Sequence, residues 1–298
     1  MKKALIVGDL AVDIVANFAG RITTGRNILL DSPRIVAAGV AGNMAWYLRQ
    51  LGVEPQVAGR IGDDSWGSLV RGQLGQAGIG TELIRTSRLV TGFFLVLVDK
   101  KGERTMIGSR SANTELTVSR EEIMNARPQW IHVSGYSLLN RNYEETLKTL
   151  RSASEELAVP ISTDLEGISA EGRHIDLQGV TVFCNEEEFR EYFGTSPRRM
   201  IGKIGQTIAV KAGPNGCYLM SGQKLIHFPS VAKSVLDTTG AGDAFNAGFI
   251  ASVLKGNDEI AACRFANAVA GLKIRQAGAK AILPSEELAS LLVDYRAS

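Results

Sequence analysis

Asp237-Thr238-Thr239-Gly240-Ala241-Gly242-Asp243 runs directly into the small-residue segment Ala244-Phe245-Asn246-Ala247-Gly248-Phe249. Glycine at 240 and 242 lets bare backbone N–H groups approach an anion closely. The segment that follows has a helical pattern over 241–254, so these donors stand at a helix N-terminus. Unpaired N–H groups and the macrodipole both favour negative charge there. Asp243 is the odd member, because a carboxylate is a poor phosphate ligand. A fixed base beside an anion cradle is what phosphoryl transfer to an alcohol requires. Asp243 would take the hydroxyl proton while the N–H groups of Gly240, Ala241 and Gly242 stabilise the migrating group. The same letters also describe a plain helix start with an acid in its first turn. The full heptad, followed by a helix with almost no bulky residue on one face, favours the anion site.

Around this stretch, short apolar β-rich runs at 4–7, 56–60, 130–133, 160–164, 181–184 and 208–211 alternate with helical patterns. The helices are expected at 41–51 (ending at Gly52), 66–77 (ending at Gly78), 143–157, 241–254 and 258–275. Unbroken apolar strands separated by helices predict an α/β fold with a mostly parallel central sheet, flanked by helices on both faces. The runs 217–221 and 224–228, joined by Gly222-Gln223, predict a β-hairpin at one side of the sheet. Two segments, 14–36 and 91–109, break the alternation and suit a small β flap. The expectation is a single domain over 1–298 that carries this flap.

Composition narrows the function. With 45% hydrophobic and 21% charged residues the chain is ordinary for a soluble globular protein. Thirty-three basic against thirty-one acidic residues leave a net +2, with no basic cluster to serve nucleic acid or an acidic membrane. Cys184, Cys217 and Cys263 form no Cys-x-x-Cys pair and read as buried free thiols. No apolar run reaches transmembrane length, and Asp9 and Asp13 interrupt the one N-terminal stretch that could pass for a signal peptide. A cytoplasmic protein is expected.

The heptad resembles the C-terminal signature of the ribokinase-like (PfkB-type) carbohydrate kinase family. Ala38-Gly39-Val40-Ala41-Gly42-Asn43-Met44-Ala45 lies where that family carries a partner motif, and similarity continues from Gly8 to about Pro284. Small residues at Gly39 and Gly42 let a polyol approach the backbone, and the Asn43 amide can both donate to and accept from hydroxyls. As structure alone, the same stretch is a glycine turn with Asn43 near a helix start. Ala38 departs from the family, which usually has glycine there. Gly8-x-x-x-x-Asp13 is similar to the family's opening motif, which implies that Asp13, rather than Asp9, holds sugar hydroxyls.

The resemblance also implies ATP and Mg²⁺. Asn185-Glu186-Glu187-Glu188 has the Asn-x-x-Glu spacing of the family's magnesium and phosphate motif, with Glu188 acting on Mg²⁺ largely through water. It would equally serve as an acidic helix start. Lys211-Ala212-Gly213-Pro214-Asn215-Gly216 matches the loop that lines the nucleotide, although a Pro-Asn-Gly turn needs no functional explanation. Lys211 would supply positive charge to the phosphates, Gly213 and Gly216 would line the nucleotide, and Asn267 corresponds to a position near the adenine. Asp237 and Thr239 match two positions that hold K⁺ in many members. Ile282 stands where ribokinase has a polar ligand, so modest K⁺ activation at most is expected. A lid over the sugar, formed by 14–36 and 91–109, is implied as well, and the same segments could pair two subunits into a homodimer.

Two motifs lead nowhere. Gly20-Arg21-Ile22-Thr23-Thr24-Gly25-Arg26-Asn27 has P-loop glycine spacing, but Arg26-Asn27 replace the Lys-Ser/Thr pair. His132, His174 and His227 have no metal spacing. No Gly-x-Gly-x-x-Gly follows the first strand, which disfavours a dinucleotide-dependent dehydrogenase. The remaining readings are a kinase of a neutral sugar such as ribose or a ketohexose, a nucleoside kinase, and a non-catalytic sugar- or nucleotide-binding protein. Asp164-Leu165-Glu166-Gly167 lacks the Asp-Pro-Asn-x-Arg pattern of several related kinases, which argues against a sugar acid. Arg104 could reach over the site from the flap or lie on the surface.

Overall fold

The computed structural model describes all residues except 19, 31, 101–103, 170, 173, 202–204 and 295–298. β1 (Lys3–Val7) is followed by β2 (Ala11–Asn17), β3 (Arg34–Ala38), α1 (Val40–Gln50), β4 (Glu54–Gly62), α2 (Ser65–Gln76), β5 (Gly80–Ser87), β6 (Gly92–Val98) and β7 (Arg104–Ser109). Then come α3 (Arg120–Ala126), β8 (Trp130–Val133), α4 (Tyr143–Leu157), β9 (Ile161–Asp164), β10 (Thr181–Asn185), α5 (Glu186–Phe193) and β11 (Ile208–Lys211). The chain closes with β12 (Cys217–Ser221), β13 (Lys224–Phe228), α6 (Ala241–Leu254), α7 (Glu259–Lys273) and α8 (Ser285–Asp294).

Nine strands form the main sheet in the order β13-β12-β11-β10-β9-β8-β1-β4-β5. All neighbours from β11 to β5 are parallel, and the hairpin β12–β13 adds the antiparallel edge. Successive side chains of a strand point to opposite faces, so a sheet covered on both sides needs apolar residues at every position. β1 shows this directly. Ala4 and Ile6 enter one core with α1, α2, α6, α7 and α8, while Leu5 and Val7 enter the other with α3, α4 and α5. The small residues of α6 serve helix packing, since a Cβ on Gly248 would lie 2.9 Å from the Ala266 Cα of α7.

β2, β3, β6 and β7 form a second sheet in the order β3-β2-β6-β7. It is mixed, because β2 and β6 run parallel and the outer pairs antiparallel. This sheet corresponds to the expected flap, with a shifted start. β2 begins at Ala11, so Asp13 lies on a strand of the small sheet and not in the loop just past β1. Part of the expected flap segment 91–109, residues 101–103, lies outside those described.

Three elements were not anticipated: β5, α3 and α8. β5 is an edge strand in which only Ile84 and Ser87 are buried, so its sequence lacks an apolar run. α3 buries a single residue, Ile123, too few to show a helical period.

Candidate active site

Chain order reverses at β1, whose neighbours are β4 on one side and β8 on the other. Such a switch point opens a crevice at the carboxyl ends of the strands. Asp164 ends β9, Asn185 ends β10 and Lys211 ends β11, so the sheet itself delivers their side chains to one edge.

The heptad supplies the opposite wall. Gly240 caps α6 with φ +73°, and a Cβ there would lie 2.4 Å from the Ala279 carbonyl oxygen. Only glycine meets both conditions. The Ala241 N–H donates to the Thr238 carbonyl at 3.1 Å and closes the turn. Among the described residues, the N–H groups of Gly240, Gly242 and Asp243 are left without a partner. Of the expected Gly240, Ala241 and Gly242, Ala241 is therefore taken, and the Asp243 N–H is free in its place. Lys211 brings positive charge to the same place. Its Nζ lies 3.3 Å from where a Gly242 Cβ would stand and 3.5 Å from Asn246 Oδ1.

Asp243 accepts a hydrogen bond from Asn43 Nδ2 at 3.0 Å, which joins the two motifs across 200 residues of sequence. Burial pushes its carboxyl up to about 7. The negative charge of Asp164 adds to the rise, while the Asn43 hydrogen bond, Lys211 and Lys273 oppose it. Asn43 is buried, and its Oδ1 has no hydrogen-bond partner. A buried unpaired acceptor in a crevice is free to accept from a ligand or a water. Gly39 lets the chain pass close to the first loop, as a Cβ would fall 2.4 Å from the Asp9 carbonyl oxygen. Asp9 is engaged elsewhere, held by Arg110 through two hydrogen bonds of 2.6 and 2.9 Å.

Asp13 is pushed up to about 6 by burial, against the pull of Lys280 and Arg104. Lys280 is held down to about 8 by its own burial, and Asp13 opposes that shift. The Lys280 Nζ lies 3.9 Å from where a Gly42 Cβ would stand. Arg104 reaches from β7 to the main body, donating to Thr239 Oγ1 at 2.6 Å. A cavity of about 690 Å³ opens between the small sheet and the main body, lined among others by Arg34, Arg104, Trp46, Thr239 and Lys280.

The remaining expected residues are spread along the same edge. Asn185 and Glu188 form a reciprocal helix cap, with Glu188 N–H to Asn185 Oδ1 at 2.8 Å and Asn185 N–H to Glu188 Oε2 at 2.9 Å. This leaves Glu188 one free oxygen, and burial raises its pKa. Glu166, just past β9, is raised well above the usual range by burial and by Asp164 and Asp243. Gly213 and Gly216 bracket the short helical turn after β11. Asn267 donates to the Pro229 carbonyl at 2.8 Å, so its amide nitrogen already has a partner. Ile282 is 72% exposed. Asp237 accepts from the Thr239 N–H at 2.8 Å and the Gly278 N–H at 2.7 Å.

Sequence reasoning missed Glu166, Lys273 and Lys280. The strand-end rule could have found Glu166, which follows β9 by two residues. Nothing local marks the lysines: Lys273 ends α7 and Lys280 lies in the segment after it, and only folding brings them to the site.

A family model described as pfkB family carbohydrate kinase matches residues 1–286, and the chain belongs to that family. It is 25% identical over 295 residues to the ribokinase of Bacillus subtilis, covering 97% of this chain and 100% of that one. It is 30% identical over 274 residues to an ATP-dependent ribose-1-phosphate kinase of Halopiger xanaduensis, covering 88% of each. The solved ribokinase of Arabidopsis thaliana, complexed with ribose and ATP, matches the fold with a TM-score of 0.84 at 24% identity, covering 98% of both chains.

Proposed function

We propose that this member of the pfkB family transfers the γ-phosphoryl group of ATP directly to a hydroxyl of a small sugar that carries an anionic group elsewhere. Membership makes the chain a phosphotransferase with an alcohol acceptor. The observation that carries the mechanism is Asp243, held by Asn43 at the open N-terminus of α6 with its carboxyl near 7. A base so placed is matched to neutral pH. Asp243 takes the proton of the attacking hydroxyl. The free N–H groups of Gly240, Gly242 and Asp243, with Lys211, face the charge that develops on the migrating phosphoryl. No covalent phosphoenzyme is needed.

Mg²⁺, when bound with ATP, would neutralise charge on the β- and γ-phosphates. The free oxygen of Glu188 and the neighbouring Glu166 suit it through water, since Mg²⁺ keeps much of its hydration. Among the described residues no three His, Cys, Asp or Glu side chains converge on a metal cage.

The charges around the substrate side revise the expectation of a neutral sugar. Arg34, Arg104 and Lys280 all line one cavity. Lys280 is partly buried and has no hydrogen bond or ion pair among the described residues, and neither has Arg34. Of the nearby carboxylates, Asp13 faces Lys280 but is itself pushed up to about 6 by burial, and Asp237 is occupied by backbone N–H groups. A partly buried cation that makes no hydrogen bond, and faces only a carboxylate pushed toward its neutral form, favours an anionic ligand group. The Halopiger relative, named for ribose 1-phosphate, is consistent with this choice.

ATP consumption should be compared for ribose and fructose with and without a phosphate, for a sugar acid, and for adenosine. The expected outcome is kcat/KM at least about tenfold higher for a phosphorylated sugar than for its neutral parent, the effect of one charge-assisted contact. Preference for ribose, a ketohexose or a nucleoside would restore the neutral reading and leave the mechanism intact. No turnover with any member would favour a sugar- or nucleotide-binding protein.

A further inference from the structure

The resemblance places a K⁺ ion beside the anion-hole turn, yet the residues here do not fit one. Both oxygens of the Asp237 carboxylate are taken, one by the Thr239 N–H and hydroxyl and the other by the Gly278 N–H. The Thr239 hydroxyl also accepts from Arg104. Ile282 is exposed and offers its carbonyl to Gln276 Nε2 at 2.6 Å. Beneath the turn lies a different cation. Lys273, the last residue of α7, is 0% exposed, and its Nζ donates to the Asp237 carbonyl at 2.7 Å and the Gln276 carbonyl at 3.2 Å.

We propose that the Lys273 ammonium is a built-in monovalent cation that holds the anion-hole turn, so that the chain phosphorylates its substrate without K⁺. Carbonyl oxygens converging on a buried positive charge are what a hard monovalent ion would also require. An ammonium carries the same charge, and its covalent tether removes the entropy of capturing a free ion.

The two carbonyls belong to the two strands of chain that form the turn. One strand runs from Asp237 to Gly240, and the other runs from Gln276 to Ala279, whose carbonyl presses against the back of Gly240. Lys273 therefore fixes the spacing of the unit that aims the Gly240 and Gly242 N–H groups. Burial lowers the pKa of Lys273; of the charged groups that face it, Asp237 and Asp243 favour its proton and Arg104 opposes it. Its field also acts on Asp243, lowering the pKa of the base. Lys273 is thus a positioning residue that touches neither substrate nor ATP.

The test rests on the kinase reading for its rate measurements but has a second readout that does not. Turnover of the wild-type protein should differ by less than about twofold between K⁺ and tetramethylammonium buffers. Its melting temperature should be the same in both. Lys273→Met should lower kcat about 10- to 100-fold with little change in either KM, the signature of a lost transition-state interaction. Lys273→Ala, which opens space, should recover part of its kcat when NH₄⁺ or K⁺ is added, a rescue the wild-type protein does not show. A strict K⁺ requirement, stabilisation of the wild-type protein by K⁺, or a folded Lys273→Met with normal kcat would each overturn the proposal. If both variants fail to fold, the wild-type K⁺ titration and melt still decide. If no substrate turns over at all, the kinase reading fails, and the melt alone judges the cation.

Discussion

Asp243 combines two roles that pull against each other. As the proposed base it must be a carboxylate to take a proton, yet burial favours its neutral acid. The active form is lost as pH falls through about 7, so kcat/KM should drop about tenfold per pH unit below that point. Below about 6 the limb should steepen, because Asp13 then protonates as well. Asp243→Asn should keep ATP and substrate binding within a few-fold while lowering kcat about 10²- to 10⁴-fold, and the limb near pH 7 should vanish. A pH–rate profile of both proteins checks this. A variant with near-normal turnover, or one that keeps the limb, would remove Asp243 from the role of base.

At the scale of an element, the first turn of α6 is pressed against the segment 276–279, and the proposed anion hole depends on that contact. Gly240→Ala places a Cβ 2.4 Å from the Ala279 carbonyl oxygen and forces an L side chain into a left-handed backbone. The backbone alone costs about 1–2 kcal/mol, and the contact must also move the turn. Gly256→Ala, just past the other end of α6, is the matched control. It has φ +95° and nothing within 4 Å of the added Cβ. Both variants should lose a similar part of their stability to backbone strain. Only Gly240→Ala should also lose kcat, by about 10²-fold, as expected for a disturbed anion hole. Equal kcat in the two, measured beside their melting curves, would show that the turn does not need its present spacing.

At the scale of the molecule, the small sheet stands over the cavity with Asp13, Val15 and Asn17 on one face of β2 and Arg104 on β7. Its root is firmly tied. Arg110 grips Asp9, and the Asn113 side chain makes hydrogen bonds of 2.9 and 2.8 Å with the Leu10 N–H and carbonyl. The strands farther out are open, with Ile35 and Ile107 about half exposed. We therefore expect a lid that closes from a fixed base, excluding water from the transfer. Hydrogen exchange in β2, β3, β6 and β7 should slow when sugar is added, while exchange at Asp9, Leu10 and Asn113 stays unchanged. Unaltered exchange in the four strands at saturating sugar would count against a lid.

The sequence by itself determined the parts that short-range chemistry writes directly. Unbroken apolar runs such as 130–133 and 208–211 can only be buried strands, and the Gly222-Gln223 turn marks its hairpin, so the sheet and its helices were legible. The heptad stands out because glycine at fixed offsets before a helix is a local requirement, whereas the Asn43 motif and Lys211 were read from the family resemblance. Tertiary structure decided what depends on distance in space. It joined Asn43 to Asp243, turned the Ala241 N–H back onto Thr238, and put Glu188 into a helix cap. It also brought Arg34, Arg104 and Lys280 around one cavity and buried Lys273 beneath the turn. A lysine has the same letter on a surface and under an anion hole. Its role follows from desolvation and from the carbonyls around it, and both exist only after the chain has folded.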